Sequence, residues 1–206
     1  MLSRLSPWLL WGALSLPAFG MILAAASAES VREVHGLLHP TGEMSARLLI
    51  VAMMATPLML LFRGWRWPRW LVRNRRYFGV AAFGYAALHL AVYLWTEPVA
   101  RWIAELGETE IWTGWVAFLI FVPLAVTSTD GWVRRLGTRW KALQRMTYAA
   151  AVFTLVHWAA LHDWGGTGAA MAHFGPLVAL EAWRVWWVWL RPRPPVAGTA
   201  EGGVNA

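Results

Sequence analysis

The chain predicts an all-α integral membrane bundle of six transmembrane helices with both termini cytoplasmic. Three observations carry that prediction: six long apolar stretches, basic clusters confined to alternate connections, and an abundance of tryptophan. With 58% hydrophobic and 14% charged residues over 206 positions, the apolar content exceeds that of an ordinary soluble domain. Seventeen tryptophans are too many for one water-soluble core of this size. Bilayer interfaces favour that amphipathic ring, so many of them are expected at segment ends.

A helix needs ~20 apolar residues to cross the hydrocarbon. The stretches that approach this are Pro7 to Ala26, Met44 to Phe62, Phe78 to Trp95, Trp112 to Thr127, Met146 to Leu161 and Phe174 to Leu190. The last three are slightly short and are expected to borrow residues from their flanks. Pro17, Pro57 and Pro123 fall inside stretches, where a bundle re-satisfies the freed carbonyls and tolerates a kink. No internal repeat is evident. Residues 1–191 read as one transmembrane domain, and 192–206, rich in Pro, Gly and Ala, as a flexible cytoplasmic tail.

Charge orients the bundle. Arg4, the six arginines from Arg63 to Arg76, the five basic residues from Arg134 to Arg145, and Arg191 with Arg193 make up 14 of the 18 basic residues, and they occupy alternate connections. The other connections hold Glu29, Glu33, Glu43, Glu97, Glu105, Glu108, Glu110 and Asp163, opposed only by Arg32, Arg47 and Arg101. The positive-inside rule then puts both termini in the cytoplasm. The same clustering explains the net charge of +7 without a nucleic-acid partner. A competing reading of the start is a cleaved secretory signal ending near Ala26, Ser27 and Ala28, but the apolar run exceeds the usual core of ~7 to 15 residues.

No cysteine occurs, which excludes a thiolate-ligated iron-sulfur cluster, a covalent c-type haem and any thiol redox step within the chain. Nucleotide fingerprints, P-loops and nucleophile motifs are also absent. Two histidines lie well inside apolar stretches, where ionisable side chains are costly and usually functional: His89, twelve residues beyond Tyr77, and His157, thirteen beyond Gln144. At 1.5 Å rise they reach ~18 and ~20 Å from the inner side, so two imidazoles at one level can supply both axial nitrogens to a haem iron. The alternative is that each makes an interhelical hydrogen bond. Ala86 and Ala87 before His89, and Ala159 and Ala160 after His157, could leave room for a flat macrocycle.

The remaining histidines, His35, His39, His162 and His173, fall at the outer face in this topology. His35 and His39 stand four apart, a metal-sharing spacing in a helix, but Gly36 and Pro40 argue for solvated loop residues. Glu181 and Arg184 are three apart and are expected to pair on one helix face. Arg73, Arg75 and Arg76 could dock an acidic electron donor, although topology already accounts for them.

Taken in order, LHPTGEMSARLL from Leu38, Thr56-Pro57, RRYFGVAAFGYAALHLAVYLW from Arg75, LAVTST from Leu124 and RRLGTRWKALQRMTYAAAVFTLVHW from Arg134 resemble the MsrQ (YedZ) family. That family comprises the haem-binding membrane subunits of a periplasmic methionine sulfoxide reductase system, within the ferric-reductase-like superfamily. The resemblance runs roughly from Gly36 to Leu161. It implies one b-type haem on His89 and His157, allows a flavin mononucleotide (FMN), and implies a periplasmic molybdopterin-containing partner that repairs oxidised methionine. A cytoplasmic flavin reductase or a quinol would be the donor, in a bacterial inner membrane. Two departures stand out: Gln144 occupies a family histidine position, which argues against a second, inner haem, and Glu110, Ile111 and Trp112 replace an RPY-like helix start. Other readings are a stand-alone ferric-reductase-like or cytochrome b561-like carrier, and a non-redox transporter with Glu181 and Arg184 on a polar path.

Overall fold

The computed structural model describes residues 7–161 and 163–192, and every regular element in them is helical. In chain order these are α1 (Pro7–Ala26), α2 (Val31–His35), α3 (Leu38–Leu61), α4 (Arg66–Thr96), α5 (Val99–Ala104), α6 (Thr109–Val126), α7 (Asp130–Leu136), α8 (Thr138–Gln144), α9 (Met146–Ala160) and α10 (Thr167–Val185). A π-helical turn, Trp186–Leu190, extends α10. Apart from Pro192, the expected flexible tail lies outside the described residues, as does His162.

Four stretches, Pro7–Ala26, Val31–Leu61, Arg66–Thr96 and Thr109–Val126, are long and apolar enough to cross a membrane by length and composition. The other two expected spans are helical but fall outside that measure. α9 has only 15 residues, and His173, Glu181 and Arg184 interrupt the apolar run of α10. Tryptophans do gather at helix ends: Trp8, Trp65, Trp95, Trp112 and Trp189 are all exposed there.

Two boundaries differ from expectation for identifiable reasons. α3 begins at Leu38, well before Met44, because Pro40 falls in its first turn, where a missing N–H has no helical partner to lose. His39 is therefore helical, although Gly36 does terminate α2. α4 begins at Arg66, not Phe78, so five of the six arginines expected in a connection are helical. Its 31 residues span ~46 Å against a hydrocarbon core of ~30 Å, which carries the basic turns beyond the apolar layer. The Arg134–Arg145 connection is also helical, broken at Gly137, whose φ of +54° favours glycine.

The bundle is built from two helix pairs. α3 packs along α4, and α6 along α9; α4 meets α6, α10 lies against α3 and α9, and α1 rests on α4. Alanines at the contacts, including Ala46, Ala82, Ala150 and Ala170, are almost fully buried and let backbones approach closely, the usual device in membrane bundles. Leu49, Phe121, Trp158 and Phe174 fill the space between them. Ser45 donates to the Ala82 carbonyl at 2.8 Å, which ties α3 to α4. At the arginine-rich end Arg76 of α4 pairs with Asp130 at 2.5 Å. The Arg76 hydrogen bond and charge hold the Asp130 carboxyl below the ordinary carboxylate range. This exposed pair therefore acts above about pH 4 and is lost as pH falls through the lowered value.

α1 buries none of its residues fully, yet one side chain enters its backbone. Pro17 cannot donate to the preceding turn. Next to it, Tyr85 of α4 donates to the Leu14 carbonyl at 2.8 Å and accepts from the Ala18 N–H at 2.9 Å. Those are the two groups that a regular helix would join directly, so Tyr85 is inserted at the proline and holds α1 on the bundle. Tyr85→Phe should remove both hydrogen bonds from α4 to α1 and destabilise α1 docking by ~1 to 3 kcal/mol. Detergent thermal unfolding should show a lowered midpoint, and protease cleavage after Ala26 should become faster.

Candidate functional site

His89, on α4, and His157, on α9, come together. Their ring centroids lie 6.1 Å apart with the planes at 84°. The matched depth expected from sequence is thus realised as direct juxtaposition.

Each ring is seated by the helix paired with its own. His89 Nδ1 donates to the Leu38 carbonyl of α3 at 2.9 Å, and His157 Nδ1 donates to the Glu110 carbonyl of α6 at 2.5 Å. A carbonyl can only accept, so both protons reside on Nδ1 and both Nε2 atoms are left as neutral lone-pair donors. This is the arrangement that fixes a metal-binding imidazole's tautomer and orientation. The Nε2 atoms make no hydrogen bond among the described residues. Two imidazoles that shared one metal at ~2 Å each would have ring centres no more than roughly 6 Å apart. The observed 6.1 Å meets that requirement.

Two glycines make the seating possible. A Cβ at Gly42 would stand 3.0 Å from His89 Nδ1, and one at Gly114 would stand 2.9 Å from His157 Nδ1. Both distances are too short for an added methyl group unless the ring moves. Gly42 follows the Leu38 carbonyl by four residues and Gly114 follows the Glu110 carbonyl by four. Each glycine is preceded by a fully buried threonine, Thr41 and Thr113, bonded to its own helix backbone. The two halves of the site therefore echo each other as Thr-Gly steps on α3 and α6. A dipeptide is too short to register as sequence periodicity; what the two steps share is their place three residues after the acceptor residues Leu38 and Glu110.

Between the rings is a slot of about 110 Å³, walled by Gly42, Ala86, Gly114, Ala117 and Phe118 and reached by Tyr93. Of the alanines expected to give room, Ala86 lines the slot, whereas Ala159 and Ala160 are buried in the core. The space comes mainly from the partner helices.

A second cavity, of about 240 Å³, lies on the arginine-rich side, bordered by Arg75, Arg76, Lys141, Arg145 and Arg184. Phe121 lines both cavities and forms a wall common to them. Gln144 also borders this larger cavity, and its amide donates to the Leu124 carbonyl at 3.2 Å. Glu181 and Arg184 pair at 2.7 Å as expected, and Arg184 also donates to Tyr148 at 2.8 Å.

The other described histidines lie away from the paired rings. His35 pairs with Glu97 at 3.0 Å. Exposed His39 stands 3.9 Å from Glu43. His173 accepts from Arg47 at 3.3 Å and packs on Trp158. Among the described residues no group of three or more His, Cys, Asp or Glu side chains forms a metal cluster.

The chain resembles known proteins over most of its length. The family described as "Ferric reductase like transmembrane component" matches residues 41–155, a range that contains both histidines' seats apart from Leu38, and stops two residues before His157. The chain is 35% identical over 168 residues to a protein-methionine-sulfoxide reductase heme-binding subunit MsrQ of Xanthomonas campestris pv. campestris, covering 79% of this chain and 72% of that relative. It is 32% identical over 192 residues to the MsrQ subunit of Ralstonia nicotianae, covering 89% and 84%. It is 43% identical over 122 residues to that of Rhodospirillum rubrum, covering 57% of each. No solved structure matches. With two helix pairs that seat facing histidines, and relatives that share most of its length, the chain belongs to the MsrQ family of ferric-reductase-like transmembrane proteins.

Proposed function

We propose that this chain is a membrane electron-transfer subunit that holds one b-type haem between His89 and His157. It connects a cytoplasmic flavoprotein or quinol donor to a periplasmic, molybdopterin-containing subunit that reduces methionine sulfoxide in proteins. The observation that carries this reading is the juxtaposition of the two imidazoles at 6.1 Å, each with its Nδ1 tied to a backbone carbonyl and its Nε2 without a hydrogen bond among the described residues. The haem-binding designation of the MsrQ relatives supports it.

The residues present fit the group. The Leu38 and Glu110 carbonyls keep each proton on Nδ1 and aim the rings, while Gly42, Gly114, Ala86 and Ala117 keep the slot walls low. A haem held by both imidazoles would supply a one-electron carrier, and with His89 and His157 both engaged it would suit electron transfer better than oxygen binding. On the inner side, five cationic side chains around one cavity suit an anionic donor group, and a flavin phosphate is the cofactor such a cavity admits. Catalysis on methionine sulfoxide then belongs to the partner.

The topology that serves this function has six transmembrane helices, α1, α3, α4, α6, α9 and α10, in a bacterial inner membrane. Residues 1–191 form the haem-binding domain and 192–206 a cytoplasmic tail. The alternation of basic and acidic connections supports it. A reporter fused after Arg193 should behave as cytoplasmic; a periplasmic signal would make the span count odd and reverse the assignment of donor and acceptor sides.

Purified protein should show a reducible Soret band. His89→Ala and His157→Ala should each lose most bound haem while membrane insertion persists, because apolar length drives insertion; His39→Ala should have a smaller effect. Full haem retention in either slot variant would refute the ligand assignment.

Gln144 supports a single haem, since its amide is committed to the Leu124 carbonyl and gives iron a weaker ligand than imidazole. Pyridine haemochrome analysis should approach one haem per chain and redox titration should fit one one-electron step. Gln144→His should add little or no haem, and two haems in the unmutated protein would overturn the single-haem assignment.

A further inference from the structure

We propose that Tyr93 is a positioning residue for the cofactor, its phenol donating a hydrogen bond to a propionate carboxylate of the haem held by His89 and His157. The inference rests on the haem reading and adds a residue that neither the motifs nor the ligand pair assign.

Tyr93 lies four residues beyond His89 on α4, one turn away on the same helix face and ~6 Å further along it. It lines the same slot as the two histidines. Its hydroxyl is buried and has no hydrogen-bond partner among the described residues. A buried tyrosine hydroxyl ordinarily finds a partner, so an orphan of this kind points to a group that completes it.

The neighbouring polar groups do not take that role. Beyond the end of α4, Glu97 is held by His35 at 3.0 Å and by Arg101 at 2.9 Å, and Glu105 is held by Arg101 at 2.6 Å. Both carboxylates are thus engaged elsewhere, and neither accepts from Tyr93. Within the slot, Ser45 is committed to the Ala82 carbonyl, Thr154 to the Ala150 carbonyl, and each imidazole Nδ1 to a backbone carbonyl. Tyr93 is the slot-lining side chain with a buried, unpartnered polar atom. A b-type haem brings two carboxylates into this apolar setting, where a charge-assisted O–H···O⁻ bond is strong.

The carboxylate's negative charge stabilises ferric over ferrous haem, and a donor on it weakens that preference. Tyr93→Phe removes one oxygen and keeps the ring, so the haem should remain bound. The reduction equilibrium should shift about tenfold toward the ferric form, a potential lower by ~59 mV for one electron. Spectroelectrochemical titration of the full-length haem-loaded protein reads this directly. The decisive comparison repeats the titration after reconstitution with haem dimethyl ester, which lacks free carboxylates. There the unmutated protein and Tyr93→Phe should have the same difference reduced to nothing. Equal potentials with native haem would overturn the role of Tyr93 and leave the ligand assignment standing. A shift that persists with the ester would overturn it too, by showing that the phenol acts through packing. An unmutated protein without haem would remove both this inference and the reading beneath it.

Discussion

The rest of the site depends on two hydrogen bonds, from His89 Nδ1 to the Leu38 carbonyl and from His157 Nδ1 to the Glu110 carbonyl. Each uses an acceptor on the neighbouring helix, so the ring's orientation is set by how closely two helices pack and not by the histidine's own backbone. A single such bond contributes ~0.5 to 1.5 kcal/mol to stability, which is modest. Its larger effect is chemical: it decides the tautomer and leaves the Nε2 of each ring as a lone-pair donor in the slot between α4 and α9. Gly42 and Gly114 are the packing condition for that geometry, because a methyl group at either would contact the imidazole at about the distance of a steric clash.

The same economy governs polar groups elsewhere in the bundle. A protein in lipid must satisfy its backbone and side-chain polar atoms internally. Tyr85 does so for the turn beside Pro17, Ser45 for the α3–α4 contact, and Gln144 for the end of α6. Against that background the unpartnered hydroxyl of Tyr93 stands out. Glu181 presents a related feature beside Arg184, where one carboxylate oxygen is paired and the other is buried without a partner among the described residues.

The two cavities divide the molecule by chemistry. The slot between the histidines has small and aromatic walls, which suit a flat, apolar-faced cofactor. The larger cavity is ringed by cations, which favour an anionic group. Phe121, 5% exposed and shared by both walls, keeps them separate while holding them adjacent. A redox path across a membrane needs that combination of insulation from solvent and short separation.

The sequence by itself determined the helical class, the alternating charge of the connections and the two histidines at one depth, because each follows from local composition and the fixed rise of a helix. It also marked Glu181 and Arg184 as a pair, since their spacing of three residues suffices to bring them together. It did not reveal the starts of α3 and α4: an apolar-run criterion misses a first turn bearing Pro40 and a basic extension bearing Arg66 to Arg76. Nor could it show that Gly42 and Gly114 seat the imidazoles, that Leu38 and Glu110 accept their protons, or that Tyr93 is left without a partner. Those features join residues 43 to 51 positions apart, or depend on a missing contact, and only the packing of α3 on α4 and α6 on α9 decides them.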